Sequence, residues 1–144
     1  MIRKILVALD NSDFAHKVML QALELAKVYQ AQLFTVSVIN YSVLGELDES
    51  SPSPLMTETI YNWTNSFQEV LDKCKQLAGE FEIEYFQAML SGHPAEEIIK
   101  YAEENNIDLI VMGHIGKSAA AGLILGSVSQ KVSAHSKCSV VIVK

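Results

Sequence analysis

Apolar residues along the chain fall into two alternating patterns. Short stretches dominated by aliphatic and β-branched residues, Ile5 to Leu9, Leu33 to Ile39, Ile83 to Leu90, Leu109 to Met112 and Val140 to Val143, have the length and composition of strands. Ile5 to Leu9 has no polar position at all, as a parallel strand needs when both faces of its sheet are covered. Between the strands, apolar residues recur at steps of three and four. Ala15, Val18, Met19, Ala22 and Ala26 share one helical stripe; so do Ile60, Trp63, Phe67, Val70, Leu71, Cys74 and Leu77, and then Ala95, Ile98, Ile99 and Ala102. A last short helix is predicted from Gly126 to about His135.

The residues between these runs supply the turns. Asp10-Asn11-Ser12 offers turn and N-cap oxygens after the first strand, and Gly79 is the expected stop of the second helix. Pro94, after Ser91-Gly92-His93, suits a first helical position, where its missing N–H is no loss. Asn105-Asn106 ends the third helix. From Asn40 to Pro54, Gly45, three acidic residues and Ser-Ser-Pro-Ser-Pro leave little to bury, so a mobile loop is predicted there.

Strands alternating with helices predict an α/β fold: one doubly wound domain over residues 1–144, with a five-stranded, mostly parallel sheet and helices on both faces. Ligands of such sheets bind beyond the carboxyl ends of strands, which directs attention to Asp10, Ile39 and Gly113. The length of 144 residues and a hydrophobic content of 49% suffice for one sizeable core. A formal charge of -6 argues against a nucleic-acid partner, which needs a basic face. Cys74 and Cys138 have no metal-site spacing and are expected to be packed, reduced thiols. The start of the chain is not built as a secretion signal, and no apolar run approaches the roughly 20 residues of a membrane helix. The expected compartment is the cytoplasm.

The most informative stretch is Gly113-His114-Ile115-Gly116, then nine residues, then Gly126-Ser127 leading into a helix. Glycines let main-chain N–H groups approach an anion, and Gly126-Ser127 puts a hydroxyl beside the free N–H groups of a helix start. Such a cradle suits a triphosphate. Gly116-Lys117-Ser118 is not a Walker A loop, because Val111 stands where that motif needs a glycine. Nor does a G-x-G-x-x-G follow the first strand.

The spacing G-x-x-G-x9-G-[S/T] resembles that of the ATP-binding universal stress proteins, and it is matched without a gap by Gly113, Gly116 and Gly126-Ser127. The opening Ile-Leu-Val-Ala-Leu-Asp-Asn-Ser, the segment Asp108 to Gly113 and the ending Cys138 to Val143 agree, so the resemblance covers essentially the whole chain. It implies a Rossmann-like fold of the adenine nucleotide alpha hydrolase type that binds ATP, with Mg²⁺ at the phosphates. Ala8, Leu9 and Asp10 would form a first wall, Val38 or Ile39 would meet adenine, and Met112 and Gly113 the ribose side. Gly116, Gly126, Ser127 and Val128 would hold the phosphates. The family's first turn often reads Val-Asp-Gly-Ser where this chain has Leu-Asp-Asn-Ser. The resemblance also implies a homodimer joined through the last strand, Ser139 to Val143, an apolar edge without an internal proline or charge.

Other candidates have simpler readings. Asp10 has a simpler alternative as a helix cap or turn residue, a role compatible with facing the site, and Ser12 is read as a cap. Ser12, Asp13 and His16 have the letters of a catalytic triad but no nucleophile elbow. His93 and His114 read as solvated loop residues, Trp63 and Phe67 as core, and Glu96-Glu97 and Glu103-Glu104 as helix surface. No catalytic residue and no metal ligand is expected. Three functions compete: a dimeric, nucleotide-responsive regulatory module in stress response; a slow Mg²⁺-dependent ATPase or nucleotide-dependent transferase; and a dimeric scaffold that binds no nucleotide. Arg3 is the only arginine, which disfavours an intramolecular arginine finger for the second.

Overall fold

The strand and helix runs appear in the expected order in a computed structural model, which describes residues 1–44, 53–115 and 125–144. They are β1 (Lys4–Ala8), α1 (Ala15–Tyr29), β2 (Gln32–Ile39), a 3₁₀ turn (Tyr41–Leu44), α2 (Pro54–Glu80), β3 (Tyr85–Ser91), α3 (Pro94–Glu104), β4 (Leu109–Gly113), α4 (Ser127–His135) and β5 (Ser139–Val143). The predicted loop from Asn40 to Pro54 therefore holds a helical turn at its start and the first residue of α2 at its end; residues 45–52 lie outside the described residues.

The strands form a single sheet in the order β3-β2-β1-β4-β5, and every pairing is parallel. Alternate residues of β1 look to opposite faces. Ile5 and Val7 join the cluster beneath α1 and the end of α2, with Met19, Leu23, Leu33 and Cys74. Leu6 joins the cluster beneath α3 and α4, with Val36, Ile98, Ile110 and Val132. All three β1 side chains are fully buried, which is why this strand carries no polar residue among them. Sequence order reverses about β1, so β1 and β4 flank the switch point at which doubly wound sheets open a crevice.

Two expectations about packing need correction. Trp63 and Phe67 are half-buried and belong to neither core cluster; among described residues of α2, only Leu71, Cys74 and Ala78 are fully buried. The cause is length. At 27 residues α2 extends about 40 Å, whereas the 8 residues of β2 beneath it span about 26 Å. The stripe is continuous, but its first half outruns the sheet. Ser12 is not a cap either: α1 has no side-chain cap, and the Ser12 hydroxyl is buried without a hydrogen-bond partner among the described residues. Asp10 is a turn residue, its carboxylate accepting the Ser12 N–H at 3.0 Å.

The ends of α1, α2 and α3 are followed by left-handed residues that are not glycine: Gln30 (φ 53°), Glu82 (φ 58°) and Asn106 (φ 54°). Gly79 lies inside α2 and does not end it. Gly92 is different. Its φ of 137° excludes most side chains, and a Cβ there would lie 3.0 Å from Glu97. The Ser53 hydroxyl caps α2, and Pro94 opens α3 as predicted. Cys74 is buried and Cys138 half-buried, both as free thiols. Burial pushes the Cys74 thiol up to about 11, against the opposing hydrogen bonds of Thr35 and Tyr85, so it stays protonated.

Asp108 ties the start of β1 to the start of β4. Its Oδ2 accepts the N–H groups of Arg3 and Lys4, each at 2.9 Å. The Arg3 N–H, above all, holds this carboxyl below its ordinary value of 3.8. A depressed carboxyl stabilises the fold above its unfolded value, and the contribution disappears as pH falls through the folded one. Asp108→Asn is therefore expected to cost about 1 kcal/mol at neutral pH, after allowing for solvent exposure. The gap between the urea midpoints of variant and parent should close as pH falls below 3.8.

Candidate functional site

The carboxyl ends of β1, β2 and β4 meet at one edge of the sheet. Ala8 is in register with Met112 on one side and Val36 on the other, so Leu9 and Asp10 continue beside Ser37 and Val38, with Ile39 one residue beyond. Leu9 is held from both sides of its peptide: its N–H donates to the Val36 carbonyl at 2.9 Å, and its carbonyl accepts the buried Ser37 hydroxyl at 2.8 Å. The side chains of Leu9 and Met112 are buried in opposite core clusters. Toward the crevice these two residues can offer only main-chain groups. Ala8, Asp10 and Val38 are half-buried, and Ile39 is buried.

The phosphate end is built on α4. Gly126 is its N-cap residue, with extended backbone and no side-chain cap, and no acidic residue occupies the first turn. The first intrahelical bond runs from the Gln130 N–H to the Gly126 carbonyl, which leaves the N–H groups of Ser127, Val128 and Ser129 without helical partners. Ser127 is exposed and Val128 half-buried. By contrast, α3 fills its own first turn with Glu96 and Glu97. Among the described residues, the start of α4 thus combines free donors with an uncompensated helix dipole, the conditions for holding an anion.

Gly113 has no conformational need to be glycine. Its φ is not positive, and a Cβ would make ordinary contacts, 3.4 Å from Val18 Cγ2 and 3.6 Å from the Ile115 carbonyl. A glycine that the fold does not require is consistent with close approach by a ligand. Gly116 lies outside the described residues, as do Lys117 and Ser118.

Two residues at this edge escape a reading of the sequence. Ser129, only 3% exposed, donates its hydroxyl to the Gly113 carbonyl at 2.6 Å and so fixes the start of α4 against the end of β4. Its signal was a small polar residue on the buried side of a helix, which motif spacing does not single out. His114 is not a solvated loop residue: it is half-buried, hydrogen-bonded to Val143 and in edge contact with Phe14. His93 is exposed and precedes α3 without capping it.

Among the described residues no group of three His, Cys, Asp or Glu side chains could hold a metal ion, and no helix is long and apolar enough to cross a membrane. A shallow groove between α3 and α4 is lined by Glu96, Ile99, Lys100, Glu103, Lys131 and His135. It is bridged by the exposed Lys131–Glu96 ion pair at 3.2 Å, a solvated seam of little energetic weight.

Comparison with known proteins identifies the family and the fold. The chain is 34% identical over 148 residues to universal stress protein YxiE of Bacillus subtilis, covering 100% of both chains. It is 33% identical over 142 residues to universal stress protein MJ0531 of Methanocaldococcus jannaschii, covering 99% of this chain and 82% of that one. The fold matches that of UspA from Lactobacillus plantarum with a TM-score of 0.83 at 24% identity, over 99% of this chain and 97% of the other. The Universal stress protein family matches residues 1–144, and the chain belongs to that family.

Proposed function

We propose that residues 1–144 form one nucleotide-binding domain, a cytoplasmic module that binds ATP, with Mg²⁺ at the phosphates, and responds to it as a homodimer in stress response. The observation that carries this reading is the uncapped, acid-free start of α4 at Gly126-Ser127, set against the Gly113 end of β4 at the switch point of the sheet. Adenine would lie against Val38 and Ile39, the ribose beside Asp10 and the main chain of Met112 and Gly113, and the phosphates at Gly116, Gly126, Ser127 and Val128. Two solved universal stress proteins of this fold hold cAMP and dAMP. At 24% and 17% identity their likeness to this chain is in the fold, so the reading rests on this chain's own residues.

Dimerisation through β5 is supported by its place at the edge of the sheet, where Val140, Val141 and Ile142 are half-buried beside an unpaired strand edge. A difference between ATP-bound and free states in affinity for a partner is what a regulatory module requires.

The test is calorimetric titration with ATP and Mg²⁺ beside the Gly126→Ala, Ser127→Ala double variant, with a phosphate assay afterwards and sedimentation of the free protein. Saturable binding that the variant loses, no phosphate release and a mass of two chains are expected. Sustained release would replace the regulatory module with the ATPase. Absence of binding at millimolar ATP by folded protein would leave the scaffold.

A further inference from the structure

The segment that joins β4 to α4 is closed at its base by one residue. The His114 carbonyl accepts the Gly126 N–H at 2.6 Å, so the two ends of the stretch between them meet. The His114 N–H donates to the carbonyl of Val143, the last residue of β5, at 3.0 Å. Its Nδ1 lies 3.3 Å from the same oxygen. A carbonyl oxygen can only accept, so Nδ1 carries the proton in this contact. The ring meets Phe14, the residue that precedes α1, edge-on at 5.5 Å between centroids and 83° between planes. His114 thereby joins the start of α1, the end of β5 and the N-cap of α4.

We propose that His114 is a positioning residue for the phosphate end of the nucleotide site, a role that rests on the ATP-binding reading above. It touches no ligand. Fixing its peptide between Val143 and Phe14 aims its carbonyl at the Gly126 N–H, and that bond sets where the free N–H groups of Ser127 and Val128 point. The Ser129 hydroxyl holds the Gly113 carbonyl, in the peptide that joins Gly113 to His114. Donors already in place need no ordering when an anion arrives, which is how preorganisation raises affinity. The geometry also states which replacement should serve. Asparagine carries a donor nitrogen at the same branch position as Nδ1, whereas alanine carries none.

Wild-type protein, His114→Ala and His114→Asn are titrated with ATP–Mg²⁺ and, separately, with adenosine, which has no phosphates to place. His114→Ala should weaken ATP binding about five- to tenfold, the effect of one lost side-chain hydrogen bond, and leave adenosine affinity within about twofold. His114→Asn should bind ATP within about threefold of wild type. Equal ATP affinity in wild type and His114→Ala overturns the proposal, as does an equal loss for both ligands. Nitrogen-15 spectra of the wild-type imidazoles give an answer even if the alanine variant does not fold. An Nδ1 that carries a proton at His114 and a ring signal that responds to ATP and not to adenosine are expected; an Nδ1 without a proton overturns the proposal. If wild-type protein binds neither ligand, the ATP-binding reading itself has failed, an outcome separate from these.

Discussion

Ile110→Ala should lower the stability of the protein by about 3 kcal/mol, within the range found for emptying a packed aliphatic site. Ile110 is fully buried on β4, in register with Leu6 on one side and Val140 on the other, and packs in the cluster beneath α3 and α4. Its neighbours are strand residues and the inner faces of α3 and α4, packed with little freedom to close a void, so both the lost transfer energy and the cavity contribute. For a domain held by roughly 5 to 15 kcal/mol, this is a large share. Urea titration should show a lower midpoint with an unchanged slope. A loss below about 1 kcal/mol would mean that the cluster repacks, against the expectation of a rigid central sheet.

Ser129→Ala should act on both stability and the site. Removing the hydroxyl leaves the half-buried Gly113 carbonyl without this partner, at a cost of about 1 kcal/mol. It also releases α4 from the end of β4, so ATP affinity should fall about tenfold or more even where the variant is fully folded. Titration at a temperature well below the variant's unfolding transition separates the effects. Ser133→Ala is the control: Ser133 is exposed, and among the described residues its hydroxyl bonds only within α4, to the Gln130 carbonyl, so both readouts should stay near wild type.

The succession of strands and helices along the chain was legible because β1 and β4 are buried on both faces, and an unbroken apolar run as short as Ile5 to Leu9 fits a covered strand far better than a helix or a loop. Boundaries moved by a residue or two where a mixed side chain lies half in the sheet, as at Lys4 and Gln32. The place of Asp10, Ile39 and Gly113 at one sheet edge followed from topology, and the helix start at Gly126-Ser127 from the glycine motif. Periodicity marked the face of α2 that carries Trp63 and Phe67, but not where the underlying sheet ends. The end of α2 was legible to within a residue of Gly79, but not its cause, a left-handed Glu82, a residue type that gives no turn signal. Ser129 and His114 were missed for a related reason: their importance lies in carbonyl groups of distant residues, and every residue has one.

The central position of β1 bears on how the chain is made. Its first partner, β2, follows within one helix, but its second partner, β4, lies far along the chain: Ile5 pairs with Leu109 across an interval of 104 residues. At synthesis rates of about 5 to 20 residues per second, one edge of β1 waits for about 5 to 20 seconds before β4 emerges. Until then Leu6, Val7 and Ile5 form part of an incomplete sheet with an open apolar margin. Nascent chains stalled between α3 and β4 should accordingly be the ones that holdase chaperones retain most firmly, and release should coincide with the emergence of β4 and β5.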